Sequence, residues 1–328
     1  MARAEEMLPA VAVSFRYMNK PTFDPGLTQQ FTGVLQRSIN KDGSFNVYRR
    51  GVSWRDFHPY LRLLNMGWLR FLVEVLAAYV VVNTIFAAAY FSLGPAQLQG
   101  DDATDTMGRF LNDFFFSAHT LTTVGYGNLA PMTVAANVLS SIEALTGLMG
   151  IALATGLLFG RFSRPSARLA FSERMLVAPY QDGASLQFRL VNMRPNVLME
   201  TQGTLVLMTV EGPPGALTRK FEPLKLERDG VYFLALTWTV VHPIDESSPL
   251  FGKTAEDLAR LQAEFLILIK GFDDTFSQTV HARYSYRYDE LTWSAKFNPA
   301  FEIDSAGALI LNVDRVGSHA MVQSAGHS

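Results

Sequence analysis

Two long apolar stretches organise the chain. Residues 71–91 (FLVEVLAAYVVVNTIFAAAYF) contain one charge, Glu74, and residues 134–159 (VAANVLSSIEALTGLMGIALATGLLF) contain one, Glu143. Each exceeds the roughly 20 apolar residues needed to cross a hydrocarbon layer of about 30 Å, so each predicts a membrane-spanning helix. The alternative, a pair of core helices in a soluble domain, is opposed by that length and lack of charge. Residues 110–122 (FLNDFFFSAHTLT) lie between them. They are apolar but too short to span, and predict a re-entrant half-helix. Ahead of the first stretch, residues 54–66 (WRDFHPYLRLLNM) place Trp54, Phe57, Tyr60, Leu61 and Leu64 at helical spacing, flanked by Arg55 and Arg62. This predicts a short helix lying at the membrane interface, capped by Asp56 and with Pro59 in its first turn. A plain polar linker is the alternative.

After the second stretch the period changes from helical to two. Residues 185–193, 204–210, 231–241, 264–270 and 279–288 read as strands. Turn signals separate them at Gly212-Pro213-Pro214-Gly215, Asp229-Gly230 and Gly271-Phe272-Asp273. One helix interrupts over residues 254–263, where Thr254 and Asp257 form a capping-box pattern. Many short strands with few helices predict an all-β sandwich. The boundaries that follow are a disordered N-terminus over 1–45, an interfacial helix within 46–66, a pore domain over 67–162, a β-sandwich over 163–317 and a disordered tail over 318–328.

Composition and charge refine this picture. The 328 residues carry a net charge of −2, are 48% hydrophobic and include no cysteine, which excludes disulfides and cysteine–metal sites. The first residues, MARAEEMLPAVAVSF, hold two early glutamates and no long apolar core, so the first span is expected to direct insertion itself. Arg49, Arg50, Arg55, Arg62 and Arg70 precede the first span, and Arg161, Arg164, Arg168 and Arg174 follow the second. The intervening loop holds Asp101, Asp102 and Asp105. Positive residues stay inside, so both termini and the sandwich are expected on the cytoplasmic side, with two passes through the membrane. The aspartates either raise the local cation concentration or simply start the half-helix.

The chemistry is concentrated in Thr123-Val124-Gly125-Tyr126-Gly127, directly after the half-helix. This is the sequence whose main-chain carbonyls replace the hydration shell of a potassium ion. Its glycines allow backbone angles that let successive carbonyls face one way. One chain supplies one strand of such a cage, so four identical chains are needed to ring the ion. Further along, Ile151, Thr155 and Phe159 recur at i, i+4 and i+8 on one helix face. Gly156 and Gly160 form a GxxxG, a close-packing pattern, and Gly147 is a candidate hinge.

The chain resembles the prokaryotic inward-rectifier potassium channels, the KirBac family, from about Trp54 to Val316. The resemblance rests on the WRD segment, the TVGYG filter, the run GLMGIALATGLLFGRFSRP, and His242-Pro243-Ile244-Asp245-Glu246-Ser247-Ser248-Pro249-Leu250. It implies a homotetramer in a bacterial inner membrane, with an immunoglobulin-like cytoplasmic domain that extends the ion path. It also places the Ile151–Thr155–Phe159 face towards the pore, with Phe159 as a hydrophobic gate. Arg49, Arg50, Arg55, Arg161, Arg164 and Arg168 become a collar for anionic lipid head groups. Two departures stand out. Relatives usually carry an acidic residue where this chain has His119, and strong rectifiers carry an acidic or amide residue where it has Ile151. Glu143 faces either the protein behind the filter or the cavity. Potassium is the expected conducted ion, with no cofactor and no nucleic-acid partner. The competing reading is a membrane-anchored β-sandwich sensor that does not conduct. An enzyme is disfavoured: the six histidines show no metal-ligand spacing, and there is no GxSxG and no phosphate loop.

Overall fold

The computed structural model describes residues 25–27, 30–31, 37–48, 50–51, 58–163, 167–213 and 216–322. It divides into two units, Arg49–Arg164 and a second made of Met1–Tyr48 with Pro165–Ser328.

The first unit is helical. Helix α1 spans Pro59–Asn65, α2 Trp68–Ser92, α3 Thr106–Leu121 and α4 Val134–Phe162. At 1.5 Å per residue, α2 and α4 reach about 38 and 44 Å, enough to cross a bilayer, whereas α3 reaches about 24 Å. Little of α2 or α4 is buried inside the single chain. That is the opposite of a soluble core helix and leaves both surfaces for lipid or partner chains. Pro59 sits in the first turn of α1, where no backbone N–H is required. Asp105 caps α3, accepting from Gly108 N at 3.2 Å, and Thr133 caps α4. Asp101 accepts from Asn112 Nδ2 at 2.8 Å, fastening the loop to α3. Two of the three aspartates therefore build the start of the half-helix. A two-stranded pairing of Leu98–Gln99 with Ala130–Pro131 ties the α2–α3 loop to the segment leaving the filter.

The second unit is a β-sandwich. One sheet runs in the order Gln30–Phe31, Leu217–Leu224, Leu198–Glu211, Glu264–Asp273, Gln278–Arg287, with Gly230–Leu234 also paired to Leu198–Glu211. The other runs Thr237–Ile244, Gly183–Asn192, Met175–Tyr180, Leu291–Trp293, with Leu169–Phe171 also on Gly183–Asn192. The inward faces follow the predicted alternation. Leu186, Phe188 and Leu190 lie opposite His242, Val240 and Trp238, and Leu205 and Leu207 lie opposite Ile267 and Phe265. These residues, His242 excepted, share one core with Tyr284 and Tyr286. Helix α5, Ala255–Arg260, carries the expected capping box of Thr254 and Asp257 and buries Leu258 in that core.

Two boundaries change. Ser38–Phe45, expected to be unstructured, packs on the outer face of the first sheet. Ile39 is buried there against Val206, Met208, Phe221 and Leu266. The buried Glu264 carboxylate accepts from Ser38 N with both oxygens at 3.0 Å. Ser285 Oγ donates to Ile39 O at 2.7 Å, and Arg37 pairs with Glu290. The reason is apolar area: Val206, Met208 and Leu266 point away from the core and need a cover. At the other end, His319–Met321 pairs with Ala295–Phe297, so order continues past residue 317. The N-terminal residues 1–24, the WRDF part of the interfacial helix and residues 323–328 lie outside the described residues.

Candidate functional site

Helix α3 ends at Leu121, and the chain turns at once into Thr123–Gly127. The carbonyl of His119 accepts from Val124 N at 2.9 Å and from Gly125 N at 3.3 Å, so the helix end is joined to the loop by two hydrogen bonds. Backbone φ is +60° at Thr123, +57° at Gly125 and +80° at Gly127, whereas Val124 and Tyr126 keep negative φ. Alternating handedness is the pattern that turns successive peptide groups to one side rather than to opposite sides as in a strand. A Cβ on Gly125 or Gly127 would meet nothing within 4 Å. Within the chain it is the backbone angle that requires glycine there. Thr123 adopts the left-handed region although it is β-branched, a strained conformation of the kind stored at functional sites. The His119 ring stands edge-on to Tyr126, with centroids 4.7 Å apart and planes at 86°. His119 therefore supports the loop through its carbonyl and its ring.

On α4 a four-residue ridge runs through Glu143, Gly147, Ile151, Thr155 and Phe159. Four residues advance a helix by about 400°, so the ridge turns by about 40° at each step. Its upper two members are buried and its lower three are exposed on the single chain. Glu143 faces α2 and α3, which answers the question left open by its position. A Cβ on Gly147 would stand 2.0 Å from Leu121 O, so the absence of a side chain lets α4 touch the end of α3. That close approach accounts for the residue without a hinge. Gly160 lies where a Cβ would meet Tyr60 and Leu64 of α1 at 3.2 and 3.3 Å, while Gly156 faces open space.

The arginines divide. Arg161 donates to Leu64 O at 3.2 Å, to Met66 O at 2.8 Å and to Leu63 O, and its guanidinium lies 4.6 Å from the Trp68 ring and 4.5 Å from the Phe71 ring. It caps the C-terminal end of α1, where carbonyls lack helical partners. Its Nη1 and Nη2 groups are thus engaged within the protein, which sets Arg161 apart from the exposed arginines of the expected lipid collar. Arg50 and Arg168 are exposed. Arg168 lines an open cleft of about 510 Å³ together with Lys41, His281 and Arg283. Arg49, Arg55 and Arg164 lie outside the described residues.

In the sandwich, His242 is buried and fully engaged. Its Nδ1 lies 2.6 Å from Lys225 O, which can only accept, so Nδ1 donates. Its Nε2 then accepts from Ser248 Oγ at 2.8 Å. Asp245 accepts from Ser247 N at 2.9 Å and from Ser247 Oγ. His242, Asp245, Ser247 and Ser248 thus bond within the loop and to Lys225 O. Burial holds the His242 imidazole below its usual pKa, in the neutral form this pattern needs. Among the described residues no His/Asp/Glu cluster could hold a metal ion.

Comparison with known proteins adds identity to this geometry. A family model described as the inward rectifier potassium channel C-terminal domain matches residues 169–328, and one described as ion channel matches residues 74–164. The chain is 39% identical over 271 residues to the inward rectifier potassium channel Kirbac3.1 of Paramagnetospirillum magnetotacticum, covering 81% of this chain and 89% of that one. It is 26% identical over 292 residues to the human G protein-activated inward rectifier potassium channel 3, covering 82% and 74%. It is 25% identical over 321 residues to the inward rectifier potassium channel irk-1 of Caenorhabditis elegans, covering 89% and 57%.

Proposed function

The chain belongs to the inward-rectifier potassium channel family, and from that premise we propose that four copies form a passive potassium pore with Thr123–Gly127 as its filter. It is a membrane ion channel and not an enzyme. The observation that carries the reading is the alternation of φ sign along Thr-Val-Gly-Tyr-Gly immediately after the end of α3. Four such strands around an axis offer stacked rings of oxygens that offset the loss of the ion's water, and neighbouring occupied sites repel ions onward. The C-terminal end of α3 adds a partial negative charge beside the entry from the cavity.

Below the filter, Ile151, Thr155 and Phe159 line the path. The exposed Phe159 ring, 72% accessible on the single chain, closes with its three symmetry mates as a constriction that gates by dewetting. An apolar ring at Ile151 offers no charge to a cationic blocker, so steep rectification does not arise there. The arginine asymmetry orients both termini and the sandwich to the cytoplasmic side of a bacterial inner membrane. Arg50 and Arg168, with Arg49, Arg55 and Arg164, attract anionic lipid at about 1 kcal/mol each. Gating is then set by the sandwich and by that lipid.

Rubidium uptake into proteoliposomes tests the reading. Purified tetramer is expected to take up rubidium against a sodium background, to be blocked by barium, and to change its rate as anionic lipid is raised. A monomeric protein, or uptake insensitive to barium, would overturn the channel assignment. A rate unchanged by lipid charge would overturn the lipid part alone.

A further inference from the structure

Glu143 is a buried acidic residue that the conduction path does not use. It lies in the first half of spanning helix α4, is fully buried, and has both carboxylate oxygens occupied. Tyr90 of α2 donates its hydroxyl to Oε2 at 2.8 Å, and Ser117 of α3 donates to Oε1. Ser117 Oγ also stands 3.0 Å from Asn83 Oδ1, and Asn83 is anchored by Nδ2 to Tyr79 O at 2.7 Å. All four side chains are at most 1% exposed. One carboxylate thus joins the outer helix, the half-helix and the inner helix. A buried carboxylate inside a membrane is costly, and such residues earn their place by function.

The geometry shows what the cluster acts upon. Glu143 and Gly147 are four residues apart on α4, and Ser117 and Leu121 are four residues apart on α3. Glu143 meets Ser117, and Gly147 meets the Leu121 backbone. These are two successive rungs of one helix-to-helix contact, and the second ends two residues before Thr123. The rung also lies beside His119, whose carbonyl holds the amides of Val124 and Gly125. We infer that Glu143 is a positioning residue for the ion filter. Held by Tyr90 and Ser117, it fixes the depth and rotation of α3, and so keeps the Thr123–Gly127 oxygens at the spacing that favours potassium over sodium. The inference rests on the channel reading above.

A merely structural role and a positioning role predict different behaviour. Glu143→Leu leaves the buried Tyr90 and Ser117 hydroxyls without their acceptor, so a lower thermal midpoint follows from either role and does not separate them. The separating readout is selectivity: at a temperature where the Glu143→Leu tetramer is intact, its rubidium-over-sodium uptake ratio is expected to fall about tenfold or more, the size of effect expected from losing hydrogen bonds to a carboxylate. Glu143→Gln, which retains an acceptor for Tyr90 and a polar partner for Ser117, is expected to restore the ratio to within about twofold of wild type. A Glu143→Leu tetramer as selective as wild type would overturn the inference and leave the channel reading intact. A wild-type protein without barium-sensitive rubidium uptake would overturn both. Should Glu143→Leu fail to assemble, Tyr90→Phe and Ser117→Ala decide. Each removes one donor, and a lowered uptake ratio in either supports the role, whereas wild-type ratios in both exclude it.

Discussion

Gly125 and Gly147 are both essential on this account, for opposite physical reasons. Gly125 meets no neighbour within its own chain and has a left-handed φ of +57°, so alanine there is opposed by the backbone conformation. The penalty is about 1–2 kcal/mol in each of four chains. Gly147 has ordinary helical angles and a backbone oxygen where a Cβ would go. Gly125→Ala should still assemble, with a midpoint lowered less than that of Gly147→Ala, while losing selective rubidium uptake. Gly147→Ala should lower the thermal midpoint or prevent assembly. Size-exclusion chromatography and uptake on the same preparations separate the two, and an exchange of these outcomes would contradict the assignment. His242 gives a prediction in pH. Its folded pKa is lowered by burial, so the unfolded chain binds a proton first as pH falls through the ordinary value of about 6.5. Stability from this residue is complete above that value and is lost on acidification. The thermal midpoint should fall between about pH 7 and about pH 5.5, with a shallower fall in His242→Gln. Equal slopes would refute the role.

At the scale of elements, the helices were legible because their signals are long and unambiguous. Residues 71–91 and 134–159 needed only a few residues added at the ends to become Trp68–Ser92 and Val134–Phe162. Strands with a clear inward face, such as Gly183–Asn192, were equally readable. Leu217–Leu224 was not. It carries Arg219, Lys220 and Pro223 and buries only Phe221 and Leu224, so its period-two signal is faint. Met175–Tyr180 is buried at four successive positions and does not alternate. The cover of the first sheet had a signal that went unread: Val206, Met208 and Leu266 are apolar on the face where a half-exposed sheet would be polar. Glu264→Ala removes the acceptor for the Ser38 amide and should release Ser38–Phe45. Amide exchange there is expected to rise by an order of magnitude or more, given about 1–3 kcal/mol for an unsatisfied buried donor. Unchanged protection would show that Ile39 alone holds the segment. Arg161→Lys tests the cap on α1. A lysine ammonium cannot reproduce a planar fork that reaches the Leu63, Leu64 and Met66 carbonyls while standing over the Trp68 ring. A loss of about 2 kcal/mol per chain is expected, seen as a lower midpoint, and an unchanged midpoint would refute the capping role.

At the scale of the molecule, the pore sequence and the order of its parts announced the family, because five filter residues and the segments flanking them demand one another. The partners of Glu143 were not legible. Asn83, Tyr90 and Ser117 are ordinary residues spread over two helices, and only packing brings them to one carboxylate. The use of Arg161 was hidden for the same reason, since basic residues at a span's end always satisfy the topology rule as well. What the whole account requires is a cage of main-chain oxygens that prefers potassium to sodium. The most direct measurement is the reversal potential of reconstituted single channels with potassium on one side and sodium on the other. The account predicts reversal far from zero, towards the potassium equilibrium potential, with current abolished by barium. Reversal near zero, with Thr123–Gly127 intact and the tetramer assembled, would contradict it.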